Sequence, residues 1–127
     1  MKHQALITQF LPGQFNNQAR LVEHARHLNT RMLLQVGDDQ YRMHIRAGRI
    51  ESATPGPFVM NDWDFSLCAE ADVWSTFWLA VPPPGFHDLF ALLKFRRMTL
   101  QGNLHPFMSN LLYFKSLLAT PRHIEVS

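Results

Sequence analysis

The stretch Arg96–Ala119, RRMTLQGNLHPFMSNLLYFKSLLA, decides the fold because its hydrophobic period changes midway. Met98 and Leu100 alternate with polar neighbours, and this period of two is typical of a half-buried strand. Gly102 breaks the alternation, and Asn103 is a residue type that caps the N-termini of helices. The sequence therefore predicts a strand that leads directly into a helix.

The predicted helix has a wide apolar surface. A surface helix carries an apolar stripe of roughly 100° or somewhat more, whereas the apolar residues here cover well over half of the circumference. The excess must be covered by other helices, by a partner chain or by a hydrophobic ligand, and a fully packed terminal helix is the equally weighted alternative. The apolar positions are Leu104, Phe107, Met108, Leu111, Leu112, Phe114, Leu117 and Leu118.

The composition is that of one globular domain. The chain has 127 residues, of which 46% are hydrophobic and 17% charged. The net charge of +2 is too small to favour nucleic acid as a partner, although transient contact with an anionic membrane stays open. Cys68 is the single cysteine, and no apolar run is long enough for a signal peptide or a membrane span. These features predict a cytoplasmic, soluble protein.

The remaining segments divide the domain into three parts along the chain. We expect a helical N-terminal segment over 1–29, a core over 30–119 and a polar tail over 120–127. Helical spacing of apolar residues, period-two alternation and turn residues give the order helix, four strands, two helices, strand, helix. The predicted helices within this order cover 18–28, Val73–Val81 and Phe86–Lys94, the strands cover Arg31–Val36, 41–46, Arg49–Ala53 and Trp63–Ala69, and the turns are Gly37-Asp38-Asp39 and Ala47-Gly48.

Strands that are segregated from helices in this way indicate an α+β fold. In such folds the helices pack on one face of a sheet. Two helices between the fourth and fifth strands form a long crossover.

Three segments resemble the sterol carrier protein type 2 family of lipid-binding domains. They are the meander YRMHIRAGRIESATPG (41–56), the strand and helix FSLCAEADVW (65–74), and the strand MTLQGN (98–103). The resemblance covers roughly 30–119, and the PPPG connector and YFKSLL ending resemble a bacterial subgroup. The chain departs from the family's pattern at Arg96-Arg97, where a glycine and a lysine are typical.

This resemblance implies a single five-stranded mixed, mostly antiparallel sheet with helices on one face. It also implies a hydrophobic tunnel between sheet and helices, which would hold a fatty acid, a fatty acyl derivative, or a sterol-like or quinone-like lipid. The implied function is binding and transfer or presentation of that lipid, without catalysis, cofactor or metal. The residues expected to line the tunnel are Trp74, Phe77, Trp78, Phe86, Phe90, Met98, Leu100, Met108, Leu111 and Leu112.

Lys115 is the charged residue that stands out within the apolar arc of the last helix. Its long side chain could reach the tunnel mouth and meet a carboxylate head group. An ordinary lysine that extends to solvent is the alternative. For each apolar lining residue, plain core packing is likewise the alternative.

Other reactive residues do not form a recognisable catalytic or metal-binding pattern. His24 and His27 share one face of a predicted helix and could join His44, but no further ligand has a recognisable spacing. Cys68 lies mid-strand, where nothing lowers the pKa of its thiol. We therefore expect solvated histidines and an inert thiol.

A second hypothesis keeps the fold and changes the function. If aromatic side chains fill the tunnel, the domain becomes a protein-interaction or scaffold module that binds a partner or a second copy of itself. An enzyme acting on a hydrophobic substrate is disfavoured, because the sequence shows no activated nucleophile and no acid–base pair.

Overall fold

Five strands form the sheet at the centre of the fold. The structure is a computed structural model that describes residues 6–79 and 81–123. The strands are β1 (Asn29–Val36), β2 (Asp39–Arg46), β3 (Arg49–Pro55), β4 (Phe65–Ala69) and β5 (Met98–Gly102). The helices are α1 (Leu11–Asn16), α2 (Ala19–His24), α3 (Ala71–Phe77), α4 (Leu89–Lys94), α5 (His105–Ser109) and α6 (Leu111–Ala119), and they are supplemented by a π-helical turn at Leu6–Phe10 and a 3₁₀ turn at Thr120–His123.

The strand order across the sheet is β3-β2-β1-β4-β5. Only β1 and β4 pair in parallel, and the other three pairs are antiparallel. The predicted α+β fold with a mixed, mostly antiparallel sheet is therefore confirmed. The predicted order of the five strands, with two helices between the fourth and the fifth, is also confirmed.

One face of the sheet is apolar because successive strand residues point to opposite sides. Met32 lies between Met43 on β2 and Phe65 on β4, and all three are fully buried. On the next row, Leu34 lies between Tyr41 and Leu67 in the same way. This face forms the core together with the helices, as the alternation predicts.

The two predicted hairpin turns are confirmed. Gly37 has φ +64°, while Ala47 and Gly48 have φ +52° and +78°. Such positive values suit the two-residue loops that join antiparallel strands. Gly48 also approaches α2 closely, since a Cβ atom there would lie 2.6 Å from the carbonyl oxygen of Val22 and 2.7 Å from that of Ala25.

The long helix predicted after β5 is instead two helices. Asn110 separates α5 from α6 with φ −132° and ψ +43°, which no α-helix accommodates. The N-cap of α5 is Leu104 and not the predicted Asn103. The Asn103 side-chain oxygen, one residue earlier, accepts a hydrogen bond from the backbone N–H of His105 at 3.2 Å.

The two crossover helices start at different residues from those predicted. The first begins at Ala71 and not at the predicted Val73, so Asp72 lies in its first turn. The second begins only at Leu89, and its cap is Asp88, whose carboxylate accepts a hydrogen bond from the N–H of Phe90 at 3.0 Å. An N-cap carboxylate satisfies a donor that the helix itself leaves unpaired.

The N-terminal segment belongs to the core. Pro12 and Gly13 lie in α1, where proline fits the first turn of a helix. Ile7, Leu11 and Phe15 recur every four residues and are fully buried. This segment therefore completes the core and contacts β3.

The residues after Ala119 pack on the body, contrary to the predicted polar tail. Thr120 is 2% exposed, and its hydroxyl donates to the carbonyl of Ser116 at 2.7 Å. Pro121 is also buried. The last part of the predicted tail, 124–127, lies outside the described residues.

Candidate functional site

A cleft of about 510 Å³ lies where the start of α4 approaches α6 and the end of α3. It brings together two of the predicted site residues, Phe77 and Lys115. The lining residues are Gln18, Phe77, His87, Asp88, Leu89, Lys115, Ser116 and Ala119.

Lys115 closes one side of this cleft through two weak contacts. Its Nζ lies 3.2 Å from the Asp88 carboxylate and 4.5 Å from the centroid of the Phe90 ring. The Lys115 and Asp88 side chains are 31% and 49% exposed. Partly exposed ion pairs contribute only about 0–1 kcal/mol, and exposed cation–π contacts about 0.5–1 kcal/mol. Breaking these two contacts therefore costs little free energy.

Arg122 holds the connector that precedes α4. Its Nε donates to the carbonyl of Phe77 at 2.6 Å, and its Nη2 donates to the carbonyls of Phe86 and His87 at 2.9 Å each. Burial lowers the pKa of Arg122, and the nearby Asp88 carboxylate opposes that shift. The Asp88 carboxylate thus pairs with Lys115 and has Arg122 as a second, more distant cation.

Four predicted lining residues lie deep in the core. Trp74, Phe77, Trp78 and Met98 are at most 8% exposed. The two indole rings stack with centroids 5.1 Å apart. Their N–H groups donate to the carbonyls of Gln35 and Leu118, both at 2.8 Å. These hydrogen bonds hold both tryptophan side chains in place within the core.

Four more predicted residues are half-buried. Phe90 lies on α4, Leu100 on the edge strand β5 and Leu111 at the start of α6. Phe86 precedes α4 and stacks against Arg97, whose guanidinium carbon lies 4.7 Å from the ring centroid. The elements that carry these residues adjoin, since α4 contacts β5 and Lys115 links α4 to α6. Of these four residues, Phe90 adjoins the cleft, because the Lys115 Nζ lies over its ring.

Met108 and Leu112 lie on the outside of the molecule. They are 51% and 76% exposed, and Leu104 is 38% exposed. The structure therefore does not bring them together with the buried tryptophans. The excess apolar surface that the sequence indicates is real, but in this conformation it faces solvent.

Sequence reasoning missed several residues of the cleft. Asp88 immediately precedes the apolar run LFALL, so its capping role carried a recognisable signal. The sequence contains no recognisable signal for Gln18, Ser116 and Arg122. These residues come from the two ends of the chain and come near the cleft only in the folded molecule.

Histidines and the cysteine form no catalytic or metal-binding arrangement in the part of the chain that the structure describes. His24, His27 and His105 border a separate cleft of about 320 Å³, but no three metal-binding side chains converge anywhere in 6–79 and 81–123. Burial raises the pKa of the Cys68 thiol, which donates to the side-chain oxygen of Gln35 at 3.7 Å. A raised pKa keeps the thiol protonated and unreactive.

No family model matches this chain, and no curated protein matches it in sequence. Its structure matches a crystal structure of sterol carrier protein 2 with a TM-score of 0.73 and 14% identity over 92% of this chain and 94% of the other. A conserved hypothetical protein from Thermus thermophilus, described as possibly a sterol carrier protein, matches with a TM-score of 0.66 and 14% identity over 95% and 90% of the two chains.

A ubiquinone synthesis protein, UbiJ-SCP2, matches with a TM-score of 0.60 and 16% identity over 92% of this chain and 93% of the other. The chain therefore has the fold of sterol carrier protein 2. No helix among the described residues combines the length and the apolar character needed to cross a bilayer.

Proposed function

We propose that this domain binds a hydrophobic ligand with an anionic head group and carries or presents it, without catalysis. The ligand's apolar chain would enter between α4 and α6, and its head group would contact Lys115. A carrier of this kind works in the cytoplasm and meets membranes transiently to collect or deliver its ligand. The sterol-carrier fold supports this proposal.

One observation carries the proposal: the cleft is closed by a weak ion pair beside half-buried apolar side chains. A ligand carboxylate can replace Asp88 as the partner of Lys115, so opening the cleft sacrifices little electrostatic energy. The same movement would expose Phe90, Leu100 and Leu111 to the apolar chain.

The expected affinity is that of a reversible carrier. Each buried methylene contributes about 0.8 kcal/mol, so a chain of about fifteen methylenes contributes roughly 12 kcal/mol before costs. Immobilising the ligand and separating the two helices reduces that figure by several kcal/mol. The balance corresponds to dissociation constants around the micromolar range or weaker.

The first experiment asks whether a ligand is present and can be exchanged. The purified protein is extracted with organic solvent, and the extract is analysed by mass spectrometry. Displacement of a fluorescent fatty acid then measures affinity in solution. A co-purifying lipid and displacement at micromolar concentrations are expected. The absence of both would contradict the proposal.

The second experiment tests the role of Lys115. Lys115→Ala should weaken binding of a fatty acid about five-fold, the equivalent of about 1 kcal/mol for a partly exposed charge contact. It should leave binding of the fatty alcohol of the same length unchanged. Lys94→Ala is the matched control, because Lys94 is a lysine of α4 that lies outside the cleft. Equal losses for acid and alcohol would show that Lys115 does not contact the head group.

A third experiment tests the path of the apolar chain. Leu111→Trp should obstruct the space between α4 and α6 and reduce uptake of both acid and alcohol. Leu79→Trp is the control, since Leu79 is 50% exposed and lies outside the cleft. Unchanged uptake in Leu111→Trp would place the chain elsewhere.

A second candidate function is a protein-interaction module, and the packing of the aromatic residues favours it. Phe65, Phe107 and Phe114 interlock with ring centroids 5.3–5.7 Å apart, which leaves this part of the core filled. The exposed Met108 and Leu112 would then form part of a contact with a partner protein or a second copy of this chain. Analytical ultracentrifugation separates the two functions, since a stable dimer without lipid uptake supports the interaction module.

A further inference from the structure

The corner between α4 and β5 exposes an aromatic side chain among cations. Phe95 is 57% exposed, and its neighbours Lys94, Arg96 and Arg97 are all exposed. Packing in the hydrophobic core does not explain why a large apolar side chain occupies this exposed position. It is also at the end of α4 opposite to the Lys115 cleft.

The backbone holds Phe95 in this outward position. The N–H groups of Arg96 and Arg97 donate to the carbonyls of Leu93 and Leu92 at 3.2 and 2.9 Å, which closes the end of α4. Arg96 has φ +59°, a conformation that residues with side chains rarely adopt. The turn is therefore well defined, and the exposure of Phe95 follows from it.

The cations around Phe95 have no ion-pair partner among the described residues. The ion pairs in 6–79 and 81–123 involve other cations. The Arg97 guanidinium carbon lies 5.5 Å from the Phe95 ring centroid, and the Lys94 Nζ lies 5.8 Å from it. Glu70 is the only acidic residue among the described residues that border the cleft of about 280 Å³ beside Arg96 and Arg97. The corner therefore carries a net positive charge.

We propose that this corner docks on an anionic membrane surface, with Phe95 at the level of the head groups and the three cations on lipid phosphates. Aromatic side chains favour the membrane interface, and cations near an anionic leaflet are attracted to it. An exposed aromatic residue surrounded by exposed cations fits a lipid surface, which supplies both an apolar layer and negative charge. This inference rests on the proposed function for its purpose, but vesicle binding is measured separately from ligand uptake.

The test is sedimentation of the full chain with vesicles of phosphatidylcholine that contain roughly one third phosphatidylglycerol, compared with phosphatidylcholine alone. We expect the protein to bind the anionic vesicles but not the vesicles of phosphatidylcholine alone. Added salt should weaken this binding. Replacing Lys94 and Arg96 singly by Gln should weaken binding about five-fold each. Phe95→Ala should weaken it at least about five-fold, because its ring is no longer transferred from water.

Two exposed residues elsewhere provide matched controls. Arg49→Gln removes a cation from the β2–β3 hairpin, and Val59→Ala trims an apolar side chain that is fully exposed. Neither should change vesicle binding. Thermal unfolding of every variant checks that the fold is intact, since all substituted side chains are exposed.

Insertion is tested with Phe95→Trp and vesicles of brominated lipid, which quench tryptophan fluorescence on contact. The added tryptophan should be quenched more than the background from Trp63, Trp74 and Trp78, whereas Val59→Trp should show only that background. The proposal is overturned if the protein does not bind anionic vesicles, or if binding is insensitive to Phe95. Equal binding to heparin or RNA, with the same loss in the cation variants and no quenching, would identify a general polyanion site and also overturn it. Intact docking with no ligand uptake would refute only the carrier function.

Discussion

At the scale of single residues, two buried tyrosine hydroxyls have opposite environments. The Tyr113 hydroxyl donates to the carbonyl of Gly48 at 2.7 Å, across 65 positions of sequence. The Tyr41 hydroxyl is buried and has no hydrogen-bond partner within the described residues. The Tyr113 hydroxyl therefore stabilises the fold. Burial of the unpaired Tyr41 hydroxyl costs free energy, which the packing of the surrounding side chains offsets.

Removing each hydroxyl should show this difference. We expect Tyr113→Phe to lower the free energy of unfolding by about 1–3 kcal/mol, because the Gly48 carbonyl loses its buried partner. Tyr41→Phe should leave it unchanged or raise it slightly, since no hydrogen bond is lost. Urea denaturation of both variants checks this. A loss of similar size in Tyr41→Phe would show that an ordered water satisfies that hydroxyl.

The same tyrosines predict sensitivity to alkali. Burial raises the pKa of both phenols above their ordinary value of 10.0, and Asp39 adds to the shift at Tyr41. Above pH 10 the unfolded chain loses these protons while the folded chain keeps them, so the free energy of unfolding falls as pH rises. Below pH 10 neither group contributes a slope.

The Tyr113→Phe variant separates the effect of tyrosine ionisation on stability from that of other groups that titrate at high pH. The decline in stability above pH 10 should be shallower in Tyr113→Phe than in the unmodified protein, as measured by denaturation at several pH values. Identical slopes would mean that Tyr113 titrates normally. This comparison needs only the difference between the two proteins, because lysine titration is common to both.

At the scale of elements, Gly48 lies where the β2–β3 hairpin packs closely against α2. The hairpin turn requires positive φ, and the α2 carbonyls come close enough to exclude a Cβ atom at Gly48. Gly13 is the contrasting position, since it lies inside α1 with open space around it and no positive φ.

Alanine at these two positions should have opposite effects. Gly48→Ala should destabilise the protein by about 1–3 kcal/mol or more, through the strained φ and the contact with backbone oxygens. Gly13→Ala should stabilise it by about 0.5–1 kcal/mol, because alanine favours the helix. Thermal unfolding checks both values. A neutral Gly48→Ala would show that α2 can move away from the hairpin.

At the scale of the whole molecule, the N-terminal segment is part of the same core as the sheet. Phe15 packs edge-on against Tyr113 with ring centroids 5.1 Å apart. Ile7 and Leu11 are fully buried beside it. The predicted division into a helical segment over 1–29 and a core over 30–119 thus separates parts that share one interior.

Truncation tests this dependence. A chain that begins at Gln18 should fail to unfold cooperatively, because it lacks three buried side chains that each contribute about 2–5 kcal/mol to a total of about 5–15 kcal/mol. Phe15→Ala should lower stability by about 3–5 kcal/mol. Phe10→Ala is the matched control and should change it by less than about 0.5 kcal/mol, since Phe10 is 43% exposed. Cooperative unfolding of the truncated chain would contradict the shared core.

The candidate site could be predicted only in part. The sequence predicts that Trp74, Phe77 and Trp78 line a tunnel, with core packing as the alternative, and the structure buries all three. Met108 and Leu112 were expected beside them but face solvent. Hydrophobic spacing identifies an apolar arc but not the part of it that reaches the core, so a helix with excess apolar surface remains ambiguous.

The sequence by itself determined the strands, their hairpin turns and the order of the elements, because alternation and turn chemistry depend on neighbouring residues. Only the tertiary structure decided that Asn110 breaks the last helix, that Arg122 binds the His87 carbonyl and that Asp88 pairs with Lys115. Those features depend on surfaces that lie far apart in the chain. The physical reason is that local periodicity specifies which side chains prefer burial, while long-range packing selects the ones that obtain it.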